Sequence, residues 1–195
     1  MSYLREMILK HGQVFPNSVL KVDSFLNHQI DPIVIEEIEK EFYKYFGDRC
    51  ITKVLTIESS GIAPALLVAH HLGVPMLFAK KAEPSTLSKE DKYITSVHSY
   101  TKNVTSNVLI SKEYLCADDK VLIIDDFLAN GQAALGLVDL VEQAGGETVG
   151  VGICIEKSFQ QGRQYLEEKG VDVFSICRIQ SLENGQVTFL NDELQ

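Results

Sequence analysis

Cysteine, positive charge and long apolar runs are all scarce in this chain, and each shortage closes off a class of function. Only four cysteines occur among 195 residues, at Cys50, Cys116, Cys154 and Cys177. No two stand at CxxC or zinc-knuckle spacing, so neither a redox pair nor a metal site is expected. Cys154 lies in an apolar run and reads as a small core residue. All four are expected as reduced thiols. Lysine and arginine total 18 against 27 acids, for a net charge of −9. That deficit argues against a dedicated nucleic-acid binder, because phosphate contacts need clustered Lys and Arg. The most apolar stretch, residues 61–79, is broken by Pro64, His70, His71, Gly73 and Pro75. It falls short of the ~20 unbroken apolar residues of a membrane span. The first residues lack an apolar run and carry Glu6, so they do not read as a signal peptide. Leu4, Met7, Ile8 and His11 fall at helical spacing instead. No repeat and no low-complexity tract interrupts the chain.

What remains is ordinary globular material. With 45% hydrophobic and 23% charged residues, residues 1–195 suit a single domain with a sizeable core. Helical and strand signals alternate. Ile35, Ile38, Phe42 and Phe46 form a helix face behind the start signal Asp31-Pro32. Residues 54–57, 74–78, 121–124, 148–155 and 171–176 read as apolar strands, with helices over 62–72, 133–144 and 159–169 between them. Continuous apolar strands separated by helices predict an α/β fold, a parallel sheet covered on both faces. Residues 178–182 and 186–190 flank Asn184-Gly185, a hairpin signal. That hairpin and residues 14–30 are expected to form a small cap over the sheet. Residues 82–107, rich in Ser, Thr, Lys and Asn, read as a long mobile excursion.

Ligands of open parallel sheets bind outside the carboxyl ends of the strands. The richest such end is Val121-Leu122-Ile123-Ile124-Asp125-Asp126, followed by a loop with Gly131 that opens a helix. A helix start offers unpaired N–H groups and partial positive charge to a phosphate, and Gly131 lets the backbone approach it. Asn130 and Gln132 add uncharged donors. Twin acids beside a phosphate loop suit a ribose diol or a metal. A solvated turn is the bland alternative, and the four buried aliphatics before the acids argue against it. Glu58-Ser59-Ser60-Gly61 is a second strand-to-helix turn, suited to an anion or simply to capping a helix. Lys80 and Lys81 are the only charges in residues 59–82, and residues 92–112 carry three lysines and no acid. Such a cationic arc on an acidic protein can focus an anionic substrate. Lys157 follows a buried strand and, as a pure donor, could select a carbonyl oxygen. His11, His70 and His71 read as surface or helix-end residues; the adjacent pair cannot make an i, i+4 metal site.

These motifs resemble the type I phosphoribosyltransferases, whose signature for phosphoribosyl pyrophosphate (PRPP) looks like Asp125-Asp126 and the loop to Ala133. Three blocks are more particular: residues 19–32, Phe127-Leu128-Ala129-Asn130-Gly131-Gln132, and Ile155-Glu156-Lys157-Ser158-Phe159. Together they resemble the xanthine-using bacterial branch of that family, over nearly the whole chain. Asn130-Gly131-Gln132 replaces the threonines that usually surround a glycine pair, a variation that branch shares. The resemblance implies the type I fold, a twisted parallel sheet with a cap or hood. It implies that Ala129, Asn130, Gly131, Gln132 and Ala133 cradle the 5′-phosphate. Asp125 and Asp126 would hold the ribose hydroxyls, and Ser59, Ser60 and Lys81 would face the pyrophosphate. Leu20, Asn27 and Lys157 would contact the purine, with Phe127 on its face. Mg²⁺ would accompany PRPP with no tightly bound cofactor, the 82–107 loop would close over the site, and the enzyme would be a cytoplasmic homodimer. Four rivals are open to test, the first an adenine-using enzyme, against which Lys157 argues because it would face the amino group of adenine. A PRPP-sensing transcription regulator would need a DNA-binding module, and too few residues precede the cap for one. A hypoxanthine- or guanine-using enzyme shares the 6-oxo group that Lys157 suits. A phosphohydrolase would want a larger acid cluster than residues 127–138 supply.

Overall fold

The computed structural model describes residues 2–81, 89–99 and 104–190. In chain order the elements are α1 (Tyr3–His11), β1 (Gln13–Phe15), β2 (Val19–Lys21), α2 (Pro32–Phe46), β3 (Lys53–Ile57), α3 (Ile62–Leu72) and β4 (Met76–Ala79). There follow β5 (Lys92–Ser99), β6 (Val104–Ser111), β7 (Lys120–Leu128), α4 (Gln132–Ala144), β8 (Glu147–Lys157), α5 (Gly162–Glu168), β9 (Val173–Glu183) and β10 (Gln186–Phe189). The start of α2 is set chemically. The Asp31 carboxylate accepts the Ile33 amide at 2.9 Å, and Pro32 occupies the first helical position, where its missing N–H costs nothing. Gly73, at φ 70°, closes α3.

Six strands form the central sheet in the order β10-β9-β8-β7-β3-β4, parallel except for β10. Side chains alternate across it. Val54, Leu122, Ile124 and Cys154 pack with α2 and α3 residues such as Ile38, Phe42, Phe46 and Val68. Leu55, Val121, Ile123, Val151 and Ile153 pack with α4 residues such as Leu137, Val138 and Val141. Cys154 is fully buried, as its apolar run predicts. Gly150 and Gly152 on β8 let the α2 rings lie directly on the sheet. A Cβ at Gly152 would come within 2.9 Å of Phe42 Cε1 and 2.6 Å of Ile124 Cδ1. Gly152→Val is therefore expected to destabilise the fold by about 1–3 kcal/mol through overpacking, measured by urea denaturation. A midpoint at or above that of the parent would show that the core has room there.

Four expectations are corrected. The terminal hairpin does not lie over the sheet as part of a cap. β9 pairs in parallel with β8 and runs on without a break to pair with β10, so the hairpin is the sheet's own edge. Its turn is as read, with Asn184 and Gly185 both at positive φ. Residues 14–30 do form a separate unit, the β1–β2 ribbon and a short helical turn over Asp23–Asn27.

The 82–107 excursion is not a bare loop where it is described. Residues 92–99 and 104–111 pair as an antiparallel ribbon lying along α4. A Cβ on Gly136 of α4 would meet Val97 Cγ2 at 2.6 Å, and Gln143 Nε2 donates to the Ile94 carbonyl at 2.9 Å. Residues 82–88 and 100–103 of that excursion lie outside the described residues. Lys92, counted in the cationic arc, is buried at 5% exposure; Lys102 is outside the described residues. The predicted 159–169 helix begins only at Gly162. His70 and His71 do end α3 on the surface, where His71 stacks on Tyr43 and contacts Glu39.

Candidate active site

Four loops converge at the carboxyl ends of β3, β4, β7 and β8. β7 carries both acids inside the strand and continues to Leu128, longer than its apolar run suggests. Asp125 is buried, and its carboxylate accepts the Asp126 amide at 3.0 Å. Burial pushes the Asp125 carboxyl well above the ordinary carboxylate range. The Asp126 charge adds to that push, and Lys81 works against it. Burial also raises Asp126, against hydrogen bonds from Asp125, the Phe127 amide and the Ser60 hydroxyl. The two carboxyls therefore titrate as a unit. Ser60 reaches Asp126 because the turn after β3 folds tightly over β7. A Cβ at Gly61 would lie 2.2 Å from Thr56 Oγ1 and 3.1 Å from Asp125 Oδ1. The Glu58-Ser59 peptide of this turn is cis. Ser59 and Lys81 are both exposed at the same edge, and Glu58 accepts the Lys81 amide at 2.7 Å.

The loop after β7 opens α4 through Gly131, at φ 78°, and no side chain caps that helix start. The amides of Gln132 and Ala133 are thus left for a ligand. Against this loop lies Gly162, which the sequence pattern places inside a helix. Its amide donates to the Ala129 carbonyl at 3.0 Å. A Cβ on Gly162 would fall 2.4 Å from that oxygen and 2.8 Å from the Gly131 nitrogen.

The cap meets the acids from the other side. Asn27 Nδ2 donates to Asp126 Oδ2 at 3.4 Å, and Asn27 Oδ1 is buried without a hydrogen-bond partner. Lys157 Nζ donates to the Ser18 carbonyl at 2.9 Å and sits 5.9 Å from the Phe127 ring centre. Burial draws the Lys157 ammonium below the ordinary lysine range. Leu20 is buried in the apolar cluster against which Phe127 packs. Of the predicted base residues, Asn27 touches Asp126, Leu20 and Phe127 share one apolar cluster, and Lys157 lies beside Phe127; of the predicted pyrophosphate residues, Ser60 reaches Asp126 and Lys81 acts on Asp125.

A family model for the phosphoribosyl transferase domain matches residues 21–188. The chain belongs to the phosphoribosyl transferase family. Xanthine phosphoribosyltransferase from Staphylococcus aureus strain MRSA252 is 54% identical over 193 residues, 99% of this chain and all of that protein. The protein of the same name from strain Newman is also 54% identical over the same length. Among solved structures, adenine phosphoribosyltransferase from Rhodothermus marinus matches with TM-score 0.73 and 26% identity, over 90% of this chain and 98% of that one. The Giardia lamblia enzyme complexed with 9-deazaadenine matches with TM-score 0.73 and 24% identity, over 90% and 96%.

The expected type I phosphoribosyltransferase fold is therefore the one adopted. Two groups near this phosphoribosyltransferase site escape a reading of the sequence. Gly162 has one signal: a glycine inside a helical pattern, which usually marks a close approach. Glu156 falls in the strand-end block 155–159, but nothing in that block signals its role, and Arg163 has no signal. Glu156 is 1% exposed and takes hydrogen bonds from Arg163, Ser158 and Ser175. Burial alone would raise its carboxyl; those bonds and the Arg163 charge bring it below the ordinary range. Among the described residues, no cluster of three or more His, Cys, Asp or Glu side chains could hold a metal, and no helix is long and apolar enough to cross a membrane.

Proposed function

We propose that the protein transfers the 5-phosphoribosyl group of PRPP to xanthine, giving xanthosine 5′-monophosphate and pyrophosphate. The observation that carries this reading is the convergence of a donor-only Lys157, over Phe127, with an acid pair and an uncapped helix start. Full-length identity of 54% to proteins named for xanthine supports the choice of base.

A ring nitrogen of xanthine attacks C1′ while the bond to pyrophosphate breaks, through an oxocarbenium-like transition state. The amides of residues 130–133 hold the 5′-phosphate at the start of α4. Asp125 and Asp126 accept hydrogen bonds from the ribose hydroxyls. Ser59, Ser60 and Lys81 meet the charge that develops on the departing pyrophosphate. Magnesium enters with PRPP as its counterion, and so belongs to the substrate. Positioning and fixed dipoles then supply most of the acceleration. Lys157 has three N–H donors, one engaged by Ser18. A second can meet the 6-oxo group, whereas adenine presents an amino group there and leaves a buried donor unpaired. On the family likeness we also read the enzyme as a cytoplasmic homodimer, which light scattering of the purified chain tests.

Labelled PRPP with a panel of purines tests the reaction. Turnover of xanthine but not adenine is the expected result. PRPP binding without turnover of any base would point to a sensor with this fold.

Lys157→Ala should raise KM for xanthine about 10–100-fold, the worth of a charge-assisted hydrogen bond, and leave PRPP affinity largely unchanged. Equal loss for both substrates would refute that division. A pH signature goes with it. The lowered pKa means Lys157 loses its proton earlier than a free lysine as pH rises. kcat/KM for xanthine should fall along that alkaline limb in the parent, and the Lys157→Ala profile should lack the limb.

A further inference from the structure

We infer that Glu156 and Arg163 are positioning residues, a clamp built on a buried carboxylate that sets the base-binding lysine and the phosphate loop together. The inference rests on the reading of the site above and deepens it.

The carboxylate of Glu156 accepts Arg163 Nε at 3.0 Å and Nη2 at 2.7 Å, Ser158 Oγ at 2.6 Å and Ser175 Oγ at 2.6 Å. Arg178 adds an ion pair at 3.5 Å. Arg163 Nη1 in turn donates to the Val173 carbonyl at 2.8 Å and to Glu167 at 3.2 Å. Both partners are therefore locked by β8, β9 and α5 at once. A pair of this kind adds little net stability over an apolar substitute, because Glu156 loses its water entirely and Arg163 loses most of its own. What a fully satisfied network does supply is a fixed geometry.

Its place in the chain says which geometry. Glu156 immediately precedes Lys157, and Arg163 immediately follows Gly162. The clamp thus closes a short strap, residues 157–162, at both ends. At one end stands the ammonium that faces the base. At the other, the Gly162 amide holds the Ala129 carbonyl, and the Gly162 backbone supports Gly131. The strap is braced in between, where the Ser158 amide donates to Ile179 and the Gln160 amide to Lys157. Loosening the clamp should therefore disturb both subsites, whereas removing Lys157 itself should disturb only one.

The test is steady-state kinetics of Arg163→Ala, Arg163→Lys and Glu156→Gln, each well below its own melting temperature. Glu156→Gln keeps the volume; its one oxygen still accepts from one serine and its NH2 can donate to the hydroxyl of the other, so it serves where Arg163→Ala does not fold. The expected result is a rise of about tenfold or more in KM for both PRPP and xanthine, as misplacement of a site from outside it produces, with kcat changed less. Arg163→Lys should recover part of both losses, since it restores charge without the two-pronged fork. Both KM values within twofold of the parent, whatever the melting temperature, would overturn the clamp, and so would a rise in only one of them. Absence of turnover in the parent enzyme would instead sink the underlying reading of the site.

Discussion

Replacing Asp126 with alanine is expected to lower kcat/KM for PRPP by about 100-fold, mostly through KM. An ionised carboxylate that accepts from a sugar hydroxyl contributes about 1.5–3 kcal/mol, and each 1.4 kcal/mol is tenfold. Asp126 also holds Asn27 Nδ2 and is approached by Ser60. Its loss therefore frees a cap residue and a pyrophosphate-side residue together. An unchanged KM for PRPP would remove the diol assignment. The parent should show a matching acid limb. Burial raises both carboxyls of the pair, so they take up protons at higher pH than ordinary aspartates. As pH falls through that raised range the acceptors lose charge, and kcat/KM for PRPP falls with them.

The same shift has a stability consequence of opposite sense. Between the ordinary aspartate range and the raised one, the folded protein holds protons that the unfolded chain has already released. Stability therefore falls as pH rises across that window. Asp126→Asn, which keeps the shape and removes the charge, should melt higher than the parent at neutral pH while using PRPP poorly. Scanning calorimetry of the ligand-free proteins decides it. A lower melting temperature for Asp126→Asn would mean that the ionised pair is better solvated than its burial implies. A higher melting temperature for Asp126→Asn together with poor use of PRPP would mark the acid pair as a place where stability is given up to function.

How far the sequence could be read follows from how local each signal is. Asp125 and Asp126 come directly after four apolar residues of one strand, and Gly131 stands at the helix start. Strand end, turn and helix start are contiguous, so the local structure that the proposed phosphate cradle needs is legible. Lys157 was legible as a strand-end cation, but its partner was not. Ser18 lies 139 residues away and offers a main-chain carbonyl, which no side-chain pattern announces. The Glu156–Arg163 clamp is hidden for the same reason, being closed by Val173 and Ser175 across β9. The ribbon of β5 and β6 was misread for a different cause. Tyr93-Ile94-Thr95 and Val108-Leu109-Ile110 are short strand-forming runs with no clean alternation, and the Ser, Thr, Lys and Asn around them outweigh so weak a signal. The surface that receives the ribbon is a helix whose Gly136 leaves room for Val97, and only the folded chain brings the two together.

Gly131→Ala should be as damaging to PRPP use as loss of an acid, and for two separable reasons. The residue sits at φ 78°, where an L side chain costs about 1–2 kcal/mol. A Cβ there would also lie 2.8 Å from Gly162 Cα and 3.1 Å from the Gly162 carbonyl oxygen, and both are backbone atoms that cannot rotate away. Either Gly162 recedes, breaking its bond to the Ala129 carbonyl, or the loop turns to negative φ and aims the Gln132 amide elsewhere. Both outcomes remove main-chain donors from the phosphate. A rise of about 100-fold in KM for PRPP is expected, from one or two charge-assisted hydrogen bonds, with a much smaller change in KM for xanthine at saturating PRPP. Gly170 separates the two reasons. It has nearly the same backbone, φ 76°, but a Cβ there would meet nothing within 4 Å, and it has no place in the site. Gly170→Ala should lower stability by about 1 kcal/mol through its φ alone and leave KM for PRPP untouched. If Gly131→Ala loses no more than Gly170→Ala does, in stability and in PRPP affinity alike, then the close approach of Gly162 does not shape the cradle.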